Sequence, residues 1–437
     1  MRPVQAALIA LLLMLLALPA GAERFDLAIQ TETKYDTNVE KTQSNSDNGF
    51  SFRLSPYAKL SSAEGRFSYE LAYQPTVEVF ANDRDNNALS HFANGKVGYI
   101  FHRKLRGSIR NLYRRVQALN QGLASDGSGD VEAASDIQRQ TITINSTIFQ
   151  LEQNFNPRWS GMFTSTYGIF EAEEDDVVDS QSISFNQNVN YQYNARNGFG
   201  AGGGLTFQFF DEISRRINLG MPLGGGPEQF DDRVQPGSET QVYRVYASWR
   251  RSFGEGTTFY ISGGPAFIKS QQDNDGVSSS NVTFFGEVSA RHQWSPNVRS
   301  MLRYTRDENN SGGLGGSSIA DRVRGTTTWN PTERWTFTAF GEWFRRDAVS
   351  ELESEIPTLD LLGNPTGSIT VEQEGGLNSN RWSVGARASH RLTQRLSANL
   401  SLRYSDQDTQ NATTGPSSFN SLLAIVGVRY DFDPMQF

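Results

Sequence analysis

The chain contains no cysteine. That excludes a disulfide-stapled scaffold, a thiolate metal centre and a lipid-anchored lipoprotein, each of which needs a sulfur. Histidine is nearly as scarce, at four in 437 residues. Positive charge is not in excess: the net charge is −8, which gives nucleic-acid binding no electrostatic support. Apolar runs are confined to the N-terminus, and no later stretch approaches the roughly 18 residues of a membrane-spanning helix. Phosphoryl-transfer and dinucleotide motifs are missing. The run Phe199-Gly200-Ala201-Gly202-Gly203-Gly204 sits inside a strand pattern with no helix after it, so it lacks the setting of a phosphate-binding loop.

At the N-terminus, Arg2 precedes an apolar run over 6–18 and the small residues Ala20-Gly21-Ala22. This predicts a cleaved signal peptide over 1–22 and a mature chain over 23–437. The mature chain is polar on average yet rich in aromatics, with 28 Phe, 15 Tyr and 7 Trp, and it carries 40 Gly. Such a mixture suits a wall with one lipid face, one wet face and polar loops.

The dominant pattern from Glu23 onward is alternation with period two. Phe25, Leu27, Ile29, Thr31, Thr33 and Tyr35 alternate with polar residues. The same holds for Phe67, Tyr69, Leu71, Tyr73, Val77 and Val79, for Trp335, Phe337, Ala339, Gly341 and Trp343, and for Leu396, Ala398, Leu400, Leu402 and Tyr404. Runs near 12 residues exceed the roughly 5–6 residues of an ordinary strand and match a barrel wall. Short turns, such as Asn156-Pro157, Ser295-Pro296-Asn297 and Asn330-Pro331-Thr332, follow every second strand. Between them lie long polar stretches over 82–89, 118–136, 172–179, 211–239, 272–280, 308–318, 349–378 and 409–418. The expectation is an all-β fold, a transmembrane antiparallel up-and-down barrel of about 18 strands (16–18) in the outer membrane. The strands over 105–117 and 138–153 are the weakly patterned ones.

Tryptophan supports the same arrangement. Trp159 and Trp335 follow short turns, while Trp249, Trp294 and Trp329 precede them, as an interfacial aromatic girdle requires. Trp343 and Trp382 lie toward the long-loop end. At the C-terminus, Gly427, Tyr430 and Phe432 resemble the terminal-strand signal read by the barrel assembly machinery. A short extension then ends in Phe437, so either phenylalanine could be the functional end.

Arginine sets the facing, because one on the lipid side near midplane costs roughly 2–4 kcal/mol. Arg106, Arg110, Arg114, Arg244, Arg250, Arg291, Arg299, Arg303, Arg322, Arg324, Arg387, Arg403 and Arg429 oppose the apolar parity and are expected to line the lumen. The inward acids Glu70, Glu78, Glu287, Glu342 and Asp431 are fewer. Either the arginines pair with those acids and stiffen the wall, or unpaired arginines form an anion pathway. Acids concentrate in the predicted outer loops: Asp126, Asp130, Glu132 and Asp136, then Glu173-Glu174-Asp175-Asp176, Asp231-Asp232, Asp273 and Asp275, and Glu351, Glu353 and Glu355. They read as a solvated surface that meets lipopolysaccharide through divalent cations; none has the spacing of a calcium loop. Inward Gly200, Gly202 and Gly204, with Ser262, Gly264 and Ala266, suggest either a bare patch of wall against which the segment 211–239 or 349–378 folds as a plug, or glycines that relieve crowding where the wall bends sharply.

Enzyme chemistry has one foothold, His91 near Asp83 and Asp85, which would make a rim-located hydrolase. No serine nucleophile is paired with it, so the expectation is no enzyme, no cofactor and no metal. His102, His292 and His390 sit beside short turns.

Residues 25–115 resemble a known family. Tyr35-Asp36-Thr37-Asn38-Val39 is followed by Arg53-Leu54-Ser55-Pro56, then Phe67-Ser68-Tyr69-Glu70-Leu71-Ala72-Tyr73, Pro75 and Phe80, and an Asn-rich loop ending at His91. This resembles the second β-barrel porin family, outer-membrane barrels associated with exopolysaccharide operons and exosortase systems. The family pattern Ser-Tyr-Ser-Pro reads Tyr73-Gln74-Pro75 here. The resemblance implies a porin-like passage or export channel, with polysaccharide export components as partners beside membrane lipid and the assembly machinery. A non-conducting structural barrel of such a system is the alternative.

Overall fold

The computed structural model describes residues 24–38, 48–81, 87–117, 141–173, 179–211, 213–220, 229–235, 237–272, 278–310, 317–348, 351–359, 365–374, 378–411 and 415–436. The predicted signal peptide and Phe437 lie outside them.

The elements are all strands. They are β1 (Arg24–Asp36), β2 (Gly49–Glu64), β3 (Phe67–Phe80), β4 (Ala88–His102), β5 (Leu105–Gln117), β6 (Thr141–Asn154), β7 (Trp159–Ala172), β8 (Ser180–Gln192) and β9 (Asn197–Phe210). Next come β10 (Ile213–Gly220), β11 (Gln229–Gln235), β12 (Ser238–Phe253), β13 (Thr257–Gln272), β14 (Ser278–Ser295), β15 (Val298–Asn310), β16 (Ser317–Trp329) and β17 (Trp335–Ala348). The last are β18 (Glu351–Leu359), β19 (Pro365–Glu374), β20 (Asn378–Arg391), β21 (Leu396–Asn411), β22 (Gly415–Asp431) and β23 (Met435–Gln436). The main sheet has 19 strands: 18 long wall strands and the two-residue β23. It is antiparallel, and β1 closes it by pairing with β22 from Ala28↔Asp431 to Asp36↔Leu423. After the break at 432–434, β23 resumes this seam through Phe25↔Met435 and Arg24↔Gln436. Phe432 donates its backbone N–H to the Leu27 carbonyl at 2.9 Å, so the extension beyond it belongs to the closure.

Two long connections differ from the sequence expectation. The segments 211–239 and 349–378 are antiparallel hairpins, β10–β11 and β18–β19, each a separate two-stranded sheet. Asp231-Asp232 and Glu351, Glu353 and Glu355 therefore sit on paired strands. Polar composition hid them because a hairpin above the membrane has no face that must be apolar.

The weak patterning of β5 and β6 also has a cause. In β6 the inner face carries Ile142, Ile144 and Ile148, and Ile142 packs with Val116, Ile144, Phe170 and Ala172. The outer face carries Asn145 and Thr147, both of which accept hydrogen bonds from Asn111, at 2.7 and 2.8 Å. Polarity is partly inverted here, so alternation persists while its sense reverses.

The glycine-rich wall is not bare. A Cβ on Gly202 would lie 2.5 Å from the Tyr246 ring, and one on Gly204 would lie 2.2 Å from Asn186 Oδ1. Side chains of neighbouring strands lie across these positions and fill the inner face. At Gly264 the backbones approach more closely: the β12–β13 ladder skips Val245 and Tyr246, opposite Pro265, which has no N–H to donate. A Cβ there would meet the Val245 carbonyl oxygen at 1.9 Å. Gly264→Val should therefore fail to refold into the compact, heat-modifiable barrel, whereas Gly341→Ala, with ordinary contacts around its Cβ position, should refold normally. Equal refolding yields of the two on unheated gels would refute this.

Candidate functional site in the barrel lumen

Directly paired residues share a face, and successive residues alternate. One parity on each wall strand carries half-exposed large apolar side chains: Phe50, Phe52 and Leu54 on β2, Val77 and Val79 on β3, Leu400 and Leu402 on β21, and Val426 and Val428 on β22. This is the outward face. Trp159, Trp294, Trp329 and Trp335 lie on it, well exposed, next to the short turns. Trp249 joins them, edge-on to Phe259 at 6.0 Å. His292 and His390 are part of the same ring, 4.3 Å from Trp294 and 4.1 Å from Trp335 between centroids. Trp343 and Trp382 pair across β17 and β20 near the opposite end. An apolar exterior between two aromatic girdles, on a closed sheet, is matched only by a bilayer. The protein is an outer-membrane β-barrel.

No protein-family profile and no curated protein matches the chain. Among solved structures it is similar to the FrpB iron transporter of Neisseria meningitidis, with 9% identity, TM-score 0.46, and coverage of 93% of this chain and 81% of that one. It is similar also to the ferric-catecholate import receptor Fiu of E. coli K12, with 9% identity, TM-score 0.48, and coverage of 93% and 82%. The siderophore receptor PiuA of Acinetobacter baumannii aligns with 8% identity, TM-score 0.45, and coverage of 93% and 82%.

The structure puts all the arginines named above on the inward parity, but their surroundings differ with depth. Away from the short turns they are mostly half-buried and engaged. Arg244 is held by Asp307 at 2.9 Å and Glu308 at 3.0 Å. Arg303, itself 48% exposed and near mid-wall, pairs with Glu287 at 2.8 Å, Arg324 approaches Glu342 at 3.9 Å, and Arg322 stacks over Phe344. Arg403 donates to Ser383 Oγ at 3.4 Å, and Arg114 lies over Phe92.

Three residues absent from the sequence-derived set are more deeply placed still. Arg53, Arg346 and Arg381 are buried. Arg53 pairs with Glu78 at 2.9 Å and lies 4.0 Å from Glu32, while Lys34 reaches Glu78 at 3.8 Å. Arg381 pairs with Glu342 at 3.4 Å. Their parity, opposite Phe52, Leu54 and Trp382, was the signal that could have found them. Glu70 lies lower and pairs with Lys59 at 2.8 Å.

Near the short turns the picture changes. Arg291, Arg299 and Arg387 are exposed on the inner face, and no ion pair involves them among the described residues. Among the described residues, Arg250 and Arg110 donate to amide oxygens, of Gln192 at 3.3 Å and Asn94 at 3.0 Å. Arg106 is 62% exposed beside Glu152 at 3.5 Å. Arg429 pairs with Asp431 at 2.9 Å. The lumen is thus an ion-paired, closely packed outer half above a wetter ring of arginines. Pairing and availability, alternatives in the sequence, coexist at different depths.

Gln208 Nε2 donates to Glu308 Oε1 at 2.9 Å. β15, still paired with β16 as far as Asn310↔Ser317, therefore parts from β14 at its outer end and reaches across to β12, two strands beyond β14, and to β9, three beyond it. Among the described residues, the outer end of β15 is an element whose side chains reach across the lumen side, to Gln208 and Arg244.

His91 is not at a lumen rim. It shares the outward parity of Leu89, and its Nδ1 meets Tyr73 Oη at 2.8 Å with the rings stacked. Asp83 and Asp85 lie outside the described residues, as do acids 126, 130, 132, 136, 174–176, 273 and 275. Glu173 pairs with Arg115. No three His, Cys, Asp or Glu side chains converge as a metal site among the described residues.

Proposed function

We propose that this barrel is a gated passage for anionic solutes across the outer membrane. The carrying observation is the exposed inner ring of Arg291, Arg299 and Arg387, with Arg106, Arg110 and Arg250 beside it. Guanidinium groups that face water without an acid raise the local anion concentration and repel cations. The packed outer half supports a gate in place of an open pore. The resemblance of residues 25–115 to exopolysaccharide-associated barrels adds acidic polysaccharide to the solutes worth testing. Refolded protein in a planar bilayer under a salt gradient should give small, anion-selective currents that acidic oligosaccharides block. A folded, heat-modifiable but silent barrel would favour the second reading, a non-conducting structural barrel. The buried pairs around Arg53 and Arg381 are what such a wall would need.

A further inference from the structure

The wall is not zipped to the same height everywhere. β2 and β3 stay paired up to Ser51↔Phe80, β6 and β7 up to Ile142↔Ala172, and β16 and β17 up to Ser318↔Ala348. Between β14 and β15, pairing stops at Gly286↔Arg306. Above that rung β14 continues alone on β13 as far as Ser278↔Gln271, and β15 continues alone on β16 as far as Asn310↔Ser317. The two outer hairpins part company, and β14 presents an unpaired edge over 278–285. A sheet edge carries N–H and C=O groups that hydrocarbon cannot satisfy. The paired stretch below, 286–295 on β14, is about the 9–11 residues that cross a bilayer, so the notch opens at outer headgroup level. Arg306 stands at its foot and donates from Nε to the Phe284 carbonyl at 3.1 Å.

Both sides of this notch are apolar. Outside, Val282 and Phe284 are 64% and 61% exposed, with Phe267 and Tyr243 half-exposed on the adjoining strands. Inside, Val242, Ala266 and Ile268 form an apolar strip with Phe285 packed against it. That strip is out of place in a basic, wet lumen. It adjoins Arg244, the residue clasped by Asp307 and Glu308, so the end of β15 both leaves the wall open and sits at the strip. We propose that the β14–β15 notch is a lateral portal. An anionic amphiphile with a single acyl chain moves through it between the lumen and the outer leaflet, and the Arg244–Asp307–Glu308 clasp holds the route closed. The acyl chain follows Phe285 and Ile268 inside and Val282 and Phe284 outside, while the anionic head uses the arginines below. This names a substrate class for the passage and rests on that reading for the head group alone.

The test uses the full-length protein in lipid vesicles and dansyl-undecanoic acid, whose fluorescence rises in apolar surroundings. Because the chain has no cysteine, Gln208→Cys with Glu308→Cys gives two unique thiols, which a short bis-maleimide bridges to lock β15 on β9. The parent should bind the probe saturably. The Asp307→Asn/Glu308→Gln variant should bind at least tenfold more tightly, and the locked protein should lose binding, with linear, unbridged double-cysteine protein as its control. Binding that neither release nor locking alters would overturn the portal. Anion-selective conductance with clasp-insensitive probe binding sinks the portal and leaves the passage standing. Clasp-dependent binding in a barrel without anion selectivity keeps the portal and sinks the arginine pathway.

Discussion

Replacing Arg291, Arg299 and Arg387 together by glutamate should turn an anion-selective conductance into a cation-selective one. The three side chains are exposed on the inner face and enter no ion pair among the described residues. Their charge is therefore available to passing ions and is not consumed in holding the wall. Each substitution replaces a cation by an anion inside a low-dielectric cylinder, where fields of several kT are ordinary, so the permeability ratio should swing by roughly tenfold or more. The reversal potential under a salt gradient reports this directly. Folding should be unaffected, since no buried partner is lost, and an unchanged heat-modifiable band is the control. By contrast, reversing Arg303 should do less to selectivity and more to folding, because Arg303 already neutralises Glu287 at 2.8 Å. If the triple variant keeps wild-type selectivity at wild-type conductance, the current runs along another wall.

The largest stability effect is expected at Arg53. Its side chain is 2% exposed, and Glu78, with which it pairs at 2.9 Å, is 3% exposed. Ser51 adds a hydrogen bond to Glu78 at 2.6 Å, and Lys34 lies 3.8 Å away. Truncating Arg53 to alanine takes the guanidinium from buried Glu78 and Glu32 and leaves Glu78 with the Lys34 ammonium, which it shares with Asp36 at 3.9 Å. Breaking a buried pair by removing one partner costs about 3–5 kcal/mol. Urea unfolding of the refolded barrel from vesicles should show a midpoint lowered accordingly. The double change Arg53→Met/Glu78→Leu removes both charges and should recover most of the loss, since buried pairs exchange for apolar pairs at little net cost. A single variant within about 1 kcal/mol of the parent would mean that the Arg53–Glu78 pair behaves like a solvent-exposed ion pair, against its burial.

The two strands that resisted pattern reading, β5 and β6, show how far alternation can be trusted. Inner Ile142, Ile144 and Ile148 and outer Asn145 and Thr147 keep period two while exchanging sides. The hairpins at 211–239 and 349–378 escaped for another reason. Standing off the wall, they have no bilayer to impose a lipid-facing parity. His91 misled because closeness in sequence to Asp83 and Asp85 carried no sidedness, whereas its own parity with Leu89 and Ala93 did.

The sequence by itself determined the wall: the strand count, the short and long connections, the outward girdle tryptophans and the inward parity of every arginine named from it. It could do so because a membrane strand faces two different solvents, and the cost of a charge in lipid writes that difference into alternate residues. What only the tertiary structure decided is which charges find partners and which way β15 turns. Arg244 and Glu308 are 64 residues apart, on strands separated by two others, and Arg291 and Arg244 follow the same parity rule. Period two says which side a residue faces. It carries no information about depth along the lumen or distance across it, and those two quantities separate a paired arginine from an available one.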